Sequence, residues 1–270
     1  MRGSHLHKGC AIAYEIRGSG PPVVFIQGLG IHGCAWKPQI DALAPHYECL
    51  SFDNRGLGQS QPRGTGLTVE QMADDARALI DARGWPSAHV VGQSMGGLVA
   101  VHLALSARER VRSLSLLCSF PRGRDALPAS LETLGKWMRV RFGSRIQRRR
   151  ALLELMMPEA ALATGDCDGL ASELAILFGH DLADHPPVAT RQLFALIRYD
   201  ATARLHQLAG VPTLVINAEH DRIAPPHRGR AIAAAIPGAR FVEIPDASHA
   251  AAIQHAPRIN SLLLDHFARS

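Results

Sequence analysis

The chain of 270 residues has no apolar run long enough to span a bilayer, no internal repeat and no low-complexity tract. These absences argue against a helical membrane protein, a solenoid and a disordered linker. Its first residues, Met1-Arg2-Gly3-Ser4-His5, lack the apolar stretch of a secretory leader, so the cytoplasm is the expected location. Aromatic residues are scarce, at 5%, while hydrophobic residues reach 47%, so a large and mainly aliphatic core is expected. The five cysteines are odd in number, irregularly spaced and form no C-x-x-C pair. That argues against a disulfide framework and for reduced thiols, mostly buried as small hydrophobes. Residues 1–5 read as an added leader. His5, His7 and Cys10, though drawable as metal ligands, read as an exposed and mobile end. No metal site is expected.

The net charge of +5 is concentrated in one place. Residues 121–150 hold nine basic side chains against two acidic ones, Asp125 and Glu132, and the remainder is slightly acidic. No nucleic-acid module is evident around the basic residues, so no nucleic-acid or membrane partner is expected. Arg141, Arg145, Arg148 and Arg149 fall at helical spacing and read as a solvated helix face.

The most informative segment is Val90-Val91-Gly92-Gln93-Ser94-Met95-Gly96-Gly97. A β-branched pair runs into Gly-x-Ser-x-Gly, and the apolar run Leu98-Val99-Ala100-Val101 follows. This is a strand turning sharply into a helix, with Ser94 at the apex and small neighbours leaving room for strained backbone. Composition alone produces G-x-S-x-G in about one chain in ten of this length, so context must decide.

That context is an alternation of strands and helices. Strands are expected at 11–16, 23–27, 48–53, 89–92, 111–117, 213–217 and 241–244, mostly as short apolar runs typical of a parallel sheet buried on both faces. A helix over 69–82 carries one apolar stripe, a capping box from Thr68 and Gln71, and a stop at Gly84 and Pro86. The pattern predicts a doubly wound, mostly parallel α/β sheet. It breaks from 121 to 208, where helical patterns are interrupted at Pro128, Pro158, Gly165–Gly169 and His185-Pro186-Pro187. We read 1–120 and 209–270 as the core, and 121–208 as a helical cap inserted over it. Trp137, Met138, Phe142, Phe178 and Phe194 of the cap are candidates for lining a substrate pocket.

An activated serine needs a base, and the base needs an acid to orient it. Asp221 follows the apolar run Thr213–Asn217, with Glu219 as its rival. His249 follows the last strand and precedes a helical run. The chain order Ser94, Asp221, His249 is the one expected for a nucleophile elbow of this type. Backbone N–H groups of Met95 and of Leu29, in the loop Gln27-Gly28-Leu29-Gly30-Ile31-His32-Gly33, are the candidate oxyanion donors.

With these segments in order, together with Phe52-Asp53-Asn54-Arg55-Gly56-Leu57-Gly58-Gln59-Ser60 and Gly210-Val211-Pro212-Thr213-Leu214, the chain resembles the α/β-hydrolase superfamily over almost its whole length outside the cap. In such proteins the stretch from Asp53 to Ser60 shapes the turn beside the active site. Gln27 and Gln93 stand where members commonly carry histidine, which implies a retuned pocket. Ser94 at the elbow sets the chain apart from the related dehalogenases and epoxide hydrolases, which use aspartate there. The resemblance implies a carboxylic-ester hydrolase acting on a small molecule, without metal or organic cofactor. Enol-lactone hydrolases, C–C bond hydrolases and perhydrolase-type esterases share the machinery, and the cap arginines would suit a carboxylate-bearing substrate. A ligand-binding receptor with little turnover is the alternative from outside enzymology.

Overall fold

The computed structural model describes residues 1–62, 67–128, 130–163 and 166–270. The strands are β1 (Arg2–His7), β2 (Cys10–Arg17), β3 (Pro22–Ile26), β4 (Glu48–Phe52), β5 (Ala88–Gln93), β6 (Val111–Leu117), β7 (Thr213–Ala218) and β8 (Arg240–Ile244). They form one sheet in the order β1-β2-β4-β3-β5-β6-β7-β8. The β1/β2 and β2/β4 pairs are antiparallel and the other pairs are parallel. From β3 the chain moves first to β4 on one side and then returns to β5 on the other. The C-terminal ends of β3 and β5 therefore flank a topological switch point, where open α/β sheets leave a crevice for ligands.

The central strands are buried along nearly their whole length, which explains their unbroken apolar character. Around them pack α1 (Lys37–Leu43), α2 (Val69–Ala82) and α3 (Met95–Ser106). Helix α2 buries the stripe Val69, Met72, Ala76, Leu79 and Ile80. Only half of the expected capping box forms. Thr68 Oγ1 accepts from Gln71 N–H at 3.1 Å, but the Gln71 side chain donates to Asp75 at 3.2 Å instead of reaching back.

The N-terminus departs from the expectation of a mobile end. Residues 2–7 form β1, paired with β2 through a two-residue turn, Lys8-Gly9. Both turn residues have positive φ, 43° and 73°, the backbone of a type I′ hairpin that matches the strand twist. His7 Nε2 bonds the Asp74 carboxylate at 2.9 Å, and Cys10 is buried in the main core. The hairpin carbonyls of His7 and Lys8 accept from Arg55, whose buried guanidinium also pairs with Asp75 at 2.6 and 2.9 Å.

Between β6 and β7 lie α4 (Leu131–Phe142), α5 (Arg145–Met156), α6 (Glu159–Leu162), α7 (Cys167–Phe178) and α8 (Pro187–Arg198), with no strand among the described residues. The break read at Gly165 lies outside the described residues. Backbone hydrogen bonds from Gly123 N to Tyr199 O (2.8 Å) and from Ala201 N to Pro121 O (3.1 Å) join the two stems of this helical insertion. The insertion has its own small core, including Leu153, Met156, Leu174, Phe178 and Leu182, which meets the rest of the molecule at Ala35 and Ala250. After β7 come α9 (Pro226–Ala235), α10 (Ala251–Gln254) and α11 (Ala256–Ala268). Cys10, Cys49 and Cys118 are buried, Cys167 is half-buried and Cys34 is exposed, all as free thiols. Among the described residues, no helix is long and apolar enough to cross a membrane.

Candidate active site

Ser94 sits between β5 and α3 with φ 54° and ψ −119°, a region that costs about 1–3 kcal/mol for a residue with a side chain. Its neighbours hold it there. Ser94 N–H donates to Leu117 O on β6 at 2.9 Å, and its carbonyl accepts from Gly97 N and from Ser119 Oγ, both at 2.9 Å. A side chain at Gly92 would come within 3.0 Å of the Gly96 backbone, and one at Gly96 would come within 3.0 Å of the Ile26 and Gln27 carbonyls. These close approaches require the two glycines of the motif. Ser94 precedes α3 without capping it, so its hydroxyl is left for other work. Met95, the first helical residue, has an N–H with no partner inside the helix, at the positive end of the helix dipole.

Asp221 lies in the turn after β7, almost fully buried. Its Oδ1 accepts from Ile223 N (2.8 Å) and Ala224 N (2.7 Å), and its Oδ2 bonds His249 Nδ1 at 2.8 Å. The two backbone donors fix the carboxylate, and the carboxylate in turn fixes the imidazole. Glu219 is exposed and accepts instead from Asp246 N at 3.1 Å. The Cys118 thiol also lies in this cluster. Burial, and then the charge of Asp221, push it well above the usual thiol range, so it stays an S–H. His249 is held by its backbone: Gln93 Nε2 donates to its carbonyl at 3.0 Å. Ala250 N, next in the chain, donates to Met156 O of the insertion at 2.9 Å. Ser94 and His249 face one cavity. No hydrogen bond joins their side chains among the described residues; in unliganded sites this contact is often long and tightens when substrate binds.

The loop after β3 closes the site. Gly28 packs on Ser94: a methyl at this glycine would lie 3.4 Å from Ser94 Cβ and 3.9 Å from its hydroxyl oxygen. Gln27 Oε1 accepts from Gly28 N at 2.7 Å, and Asn54 Nδ2 donates to Gln27 O at 3.0 Å. Asp53 accepts from Gly33 N at 2.9 Å. The two glutamines that stand in place of histidine thus brace backbone: Gln27 the loop, and Gln93 the His249 segment. Their departure from the family pattern is visible in the sequence, but their partners are not.

The cavity over Ser94 has a volume of about 140 Å³. Trp137 and Phe178 line it. Met138, Phe142 and Phe194 do not; they are 50%, 68% and 52% exposed. On α4 the inward face runs through Thr133, Lys136, Trp137 and Val140. Leu131, Leu134, Met138 and Phe142 form a second apolar row that faces solvent. On α8, Ala189, Leu193 and Leu196 face the cavity, and Phe194 points the other way. Choosing aromatic residues by size overlooks these smaller residues, together with Leu152, Leu155 and Met156 of α5.

The arginines of the insertion do not serve the cavity either, and the four read as one helix face are split, with Arg141 on α4 and Arg145, Arg148 and Arg149 on α5 beyond the break at Gly143. Arg145 pairs with Asp184 (2.8 Å) and Asp181 (3.1 Å), Arg149 pairs with Asp181, and Arg148 donates to the Gly143 carbonyl at 2.8 Å. No arginine or lysine among the described residues lines the cavity, and its one acid, Asp184, is the partner of Arg145. Burial, with the nearby Arg141 and Arg148 charges, lowers the pKa of His185 in the wall, which favours its neutral form.

The geometry is that of an α/β hydrolase, and residues 21–256 match the family model described as alpha/beta hydrolase fold. The chain belongs to that family. It is 33% identical over 265 residues to BpoC of Mycobacterium tuberculosis, provisionally named a non-heme bromoperoxidase, covering 95% of this chain and 97% of that one. The solved enol-lactonase from Burkholderia xenovorans LB400 is 29% identical, with a TM-score of 0.78 and coverage of 96% and 97%. A thermophilic esterase from Thermogutta terrifontis is 28% identical, with a TM-score of 0.80 and coverage of 100% and 98%. Three different reactions stand in these names, so family membership leaves the substrate open.

Proposed function

We propose that the protein is a serine hydrolase of small, uncharged carboxylic esters. The observation that carries this reading is the pairing of His249 with the buried Asp221 at 2.8 Å, on the wall of the cavity that Ser94 enters from its strained turn. In the proposed reaction Ser94 Oγ attacks the acyl carbon while His249 Nε2 takes its proton. Asp221 keeps the Nδ1–H tautomer and stabilises the imidazolium. The Met95 and Leu29 amides bind the oxyanion, a contribution typically worth about 10²–10³ in rate per donor. His249 returns the proton to the leaving alcohol. Water, activated by the same imidazole, then cleaves the acyl-enzyme and frees the acid. The cavity matches the size of a benzene-sized apolar group, for which about 150 Å³ suffices.

The similarity to an enol-lactonase supports a second substrate class with the same bond chemistry. A carboxylate-bearing lactone would want a cation in the wall, and none among the described residues lines the cavity, so the neutral ester is preferred. The test is hydrolysis of 4-nitrophenyl butyrate by wild type and by Ser94→Ala, with a serine-directed phosphonate as a label. Turnover that vanishes in the variant and labelling at Ser94 alone are expected. Equal rates would remove Ser94 as nucleophile, and tight ligand binding without turnover would favour a receptor.

A further inference from the structure

We infer that Gln192 and His180, both on the insertion, are positioning residues for the Leu29 amide. This rests on the serine-hydrolase reading and adds to it. Leu29 N–H belongs to the Gly28–Leu29 peptide and has no hydrogen-bond partner among the described residues. The peptides on either side of it are fixed from opposite directions. The Gln27–Gly28 peptide is held by the core, through Asn54 on its carbonyl (3.0 Å) and Gln27 Oε1 on its N–H (2.7 Å). The Leu29–Gly30 peptide is held by the insertion: Gly30 N–H donates to Gln192 Oε1 at 2.8 Å. The carbonyl of Gly30 itself lies 2.9 Å from His180 Nε2, and the Asp181 carbonyl lies 2.9 Å from Nδ1, so His180 donates to Gly30 whenever Nε2 carries the proton.

Gly30 sits at φ +73°, a region glycine enters about as readily as negative φ, so its own backbone preference does not fix this part of the loop. Gln192 is fully buried on α8, and its reach to Gly30 spans 162 positions of sequence. A second backbone tie lies just beyond, from His32 N to Phe178 O at 3.2 Å. Ala189, one turn before Gln192 on the same helix, lines the cavity and faces Gly30. The helix that touches the substrate cavity is therefore the helix that sets the angle of the proposed oxyanion donor. Positioning of this kind acts on the transition state, where the oxyanion forms, and little on the bound ester.

The test compares Gln192→Met, which keeps length and removes the acceptor, with Gln192→Glu, which keeps an acceptor. His180→Phe is a third variant that touches the carbonyl side. With 4-nitrophenyl butyrate, Gln192→Met is expected to lower kcat about tenfold with KM within about twofold, less than the loss of a donor outright. Gln192→Glu, kept protonated by its full burial, still offers a carbonyl acceptor to the Gly30 N–H and should stay within about threefold of wild type. Affinity for an alkylboronic acid, which forms a tetrahedral adduct on the serine, should fall in step with kcat. Affinity for butyrate should not. Full kcat in Gln192→Met and in His180→Phe would overturn the inference. So would an equal fall in the Met and Glu variants, or a rise in KM alone, since each marks simple packing. Ser94→Ala, run alongside, separates the outcomes: activity surviving in that variant refutes the hydrolase reading itself.

Discussion

Replacing Asp221 by asparagine tests the proposed mechanism at its most constrained point. The substitution is isosteric, so packing should hold. The two backbone donors, Ile223 N and Ala224 N, lie 2.8 and 2.7 Å from Oδ1 and demand an acceptor there. The asparagine carbonyl must take that position, which turns its NH₂ toward His249 Nδ1. Rotating the amide the other way would leave two buried N–H groups unpaired, at about 1–3 kcal/mol each. The rotated form is therefore a minor species by a factor of about 30 or more. Facing a donor, Nδ1 becomes the acceptor and the ring proton moves to Nε2, the atom that should receive the Ser94 proton. The expected loss is about 10⁴-fold in kcat, typical of a triad whose acid becomes an amide. That corresponds to about 5.5 kcal/mol of barrier. The assay is 4-nitrophenyl butyrate hydrolysis over pH 6–9, with thermal melting to verify that the variant is folded. A folded Asp221→Asn enzyme within tenfold of wild type would refute the assignment, and Glu219→Gln would then be the variant to make.

Two further predictions concern the scaffold. Gly96→Ala places a methyl within 3.0 Å of the Ile26 carbonyl at the root of the loop after β3. Overpacking of this kind costs about 1–3 kcal/mol, so both Tm and kcat should fall, and a variant matching wild type in both would contradict the close approach. Acid should also destabilise the fold through buried histidines. Burial, and then the charge of Arg112, bring His89 from 6.5 down to about 4. His266 and His102 are lowered by burial as well. The unfolded chain takes up these protons near 6.5 and the folded protein resists them. The stability is therefore complete above about pH 6.5 and lost as pH falls toward 4, with about 3 kcal/mol at stake for His89. Urea unfolding at pH 7, 5.5 and 4.5 measures the slope, and His89→Gln should flatten it. A flat profile in wild type would show that burial does not hold these rings neutral.

Much of the fold is legible in the sequence because its signals are local. Short apolar runs, turn residues and the 3.6-residue period are read a few positions at a time. Ser94, Asp221 and His249 each follow a strand, so strand ends locate them. The hairpin at Lys8-Gly9 escapes a reading that takes the first residues as a mobile end and passes over the turn that follows them. The cavity is misjudged for a different reason. Helix α4 carries two apolar rows, and periodicity gives their spacing without saying which one faces inward. The arginines read as one helix face, but the break at Gly143 puts Arg141 on α4 and the others on α5, and Asp181 and Asp184, the partners of Arg145 and Arg149, lie more than thirty positions away. Gln192 belongs to no motif, and nothing around it in the sequence marks it as reaching Gly30.

The insertion is bonded to the proposed machinery at the backbone, and this bears on how the substrate range of such a protein can change. Gly30 and His32 of the loop after β3 and Ala250, next to His249, each bond to it, through Gln192, His180, Phe178 and Met156. Side chains such as Val140, Leu155 and Leu193 also line the cavity, but they hold none of those backbone groups. Enlarging or shrinking them is expected to alter the cavity volume and to leave the proposed donors in place. A change at Gln192 is expected to shift the proposed Leu29 donor itself. On the proposed reading, substrate preference and rate are carried by different residues of the same helix: Leu193 lines the cavity proposed for the acyl group, and its neighbour Gln192 holds the loop that carries the proposed oxyanion donor.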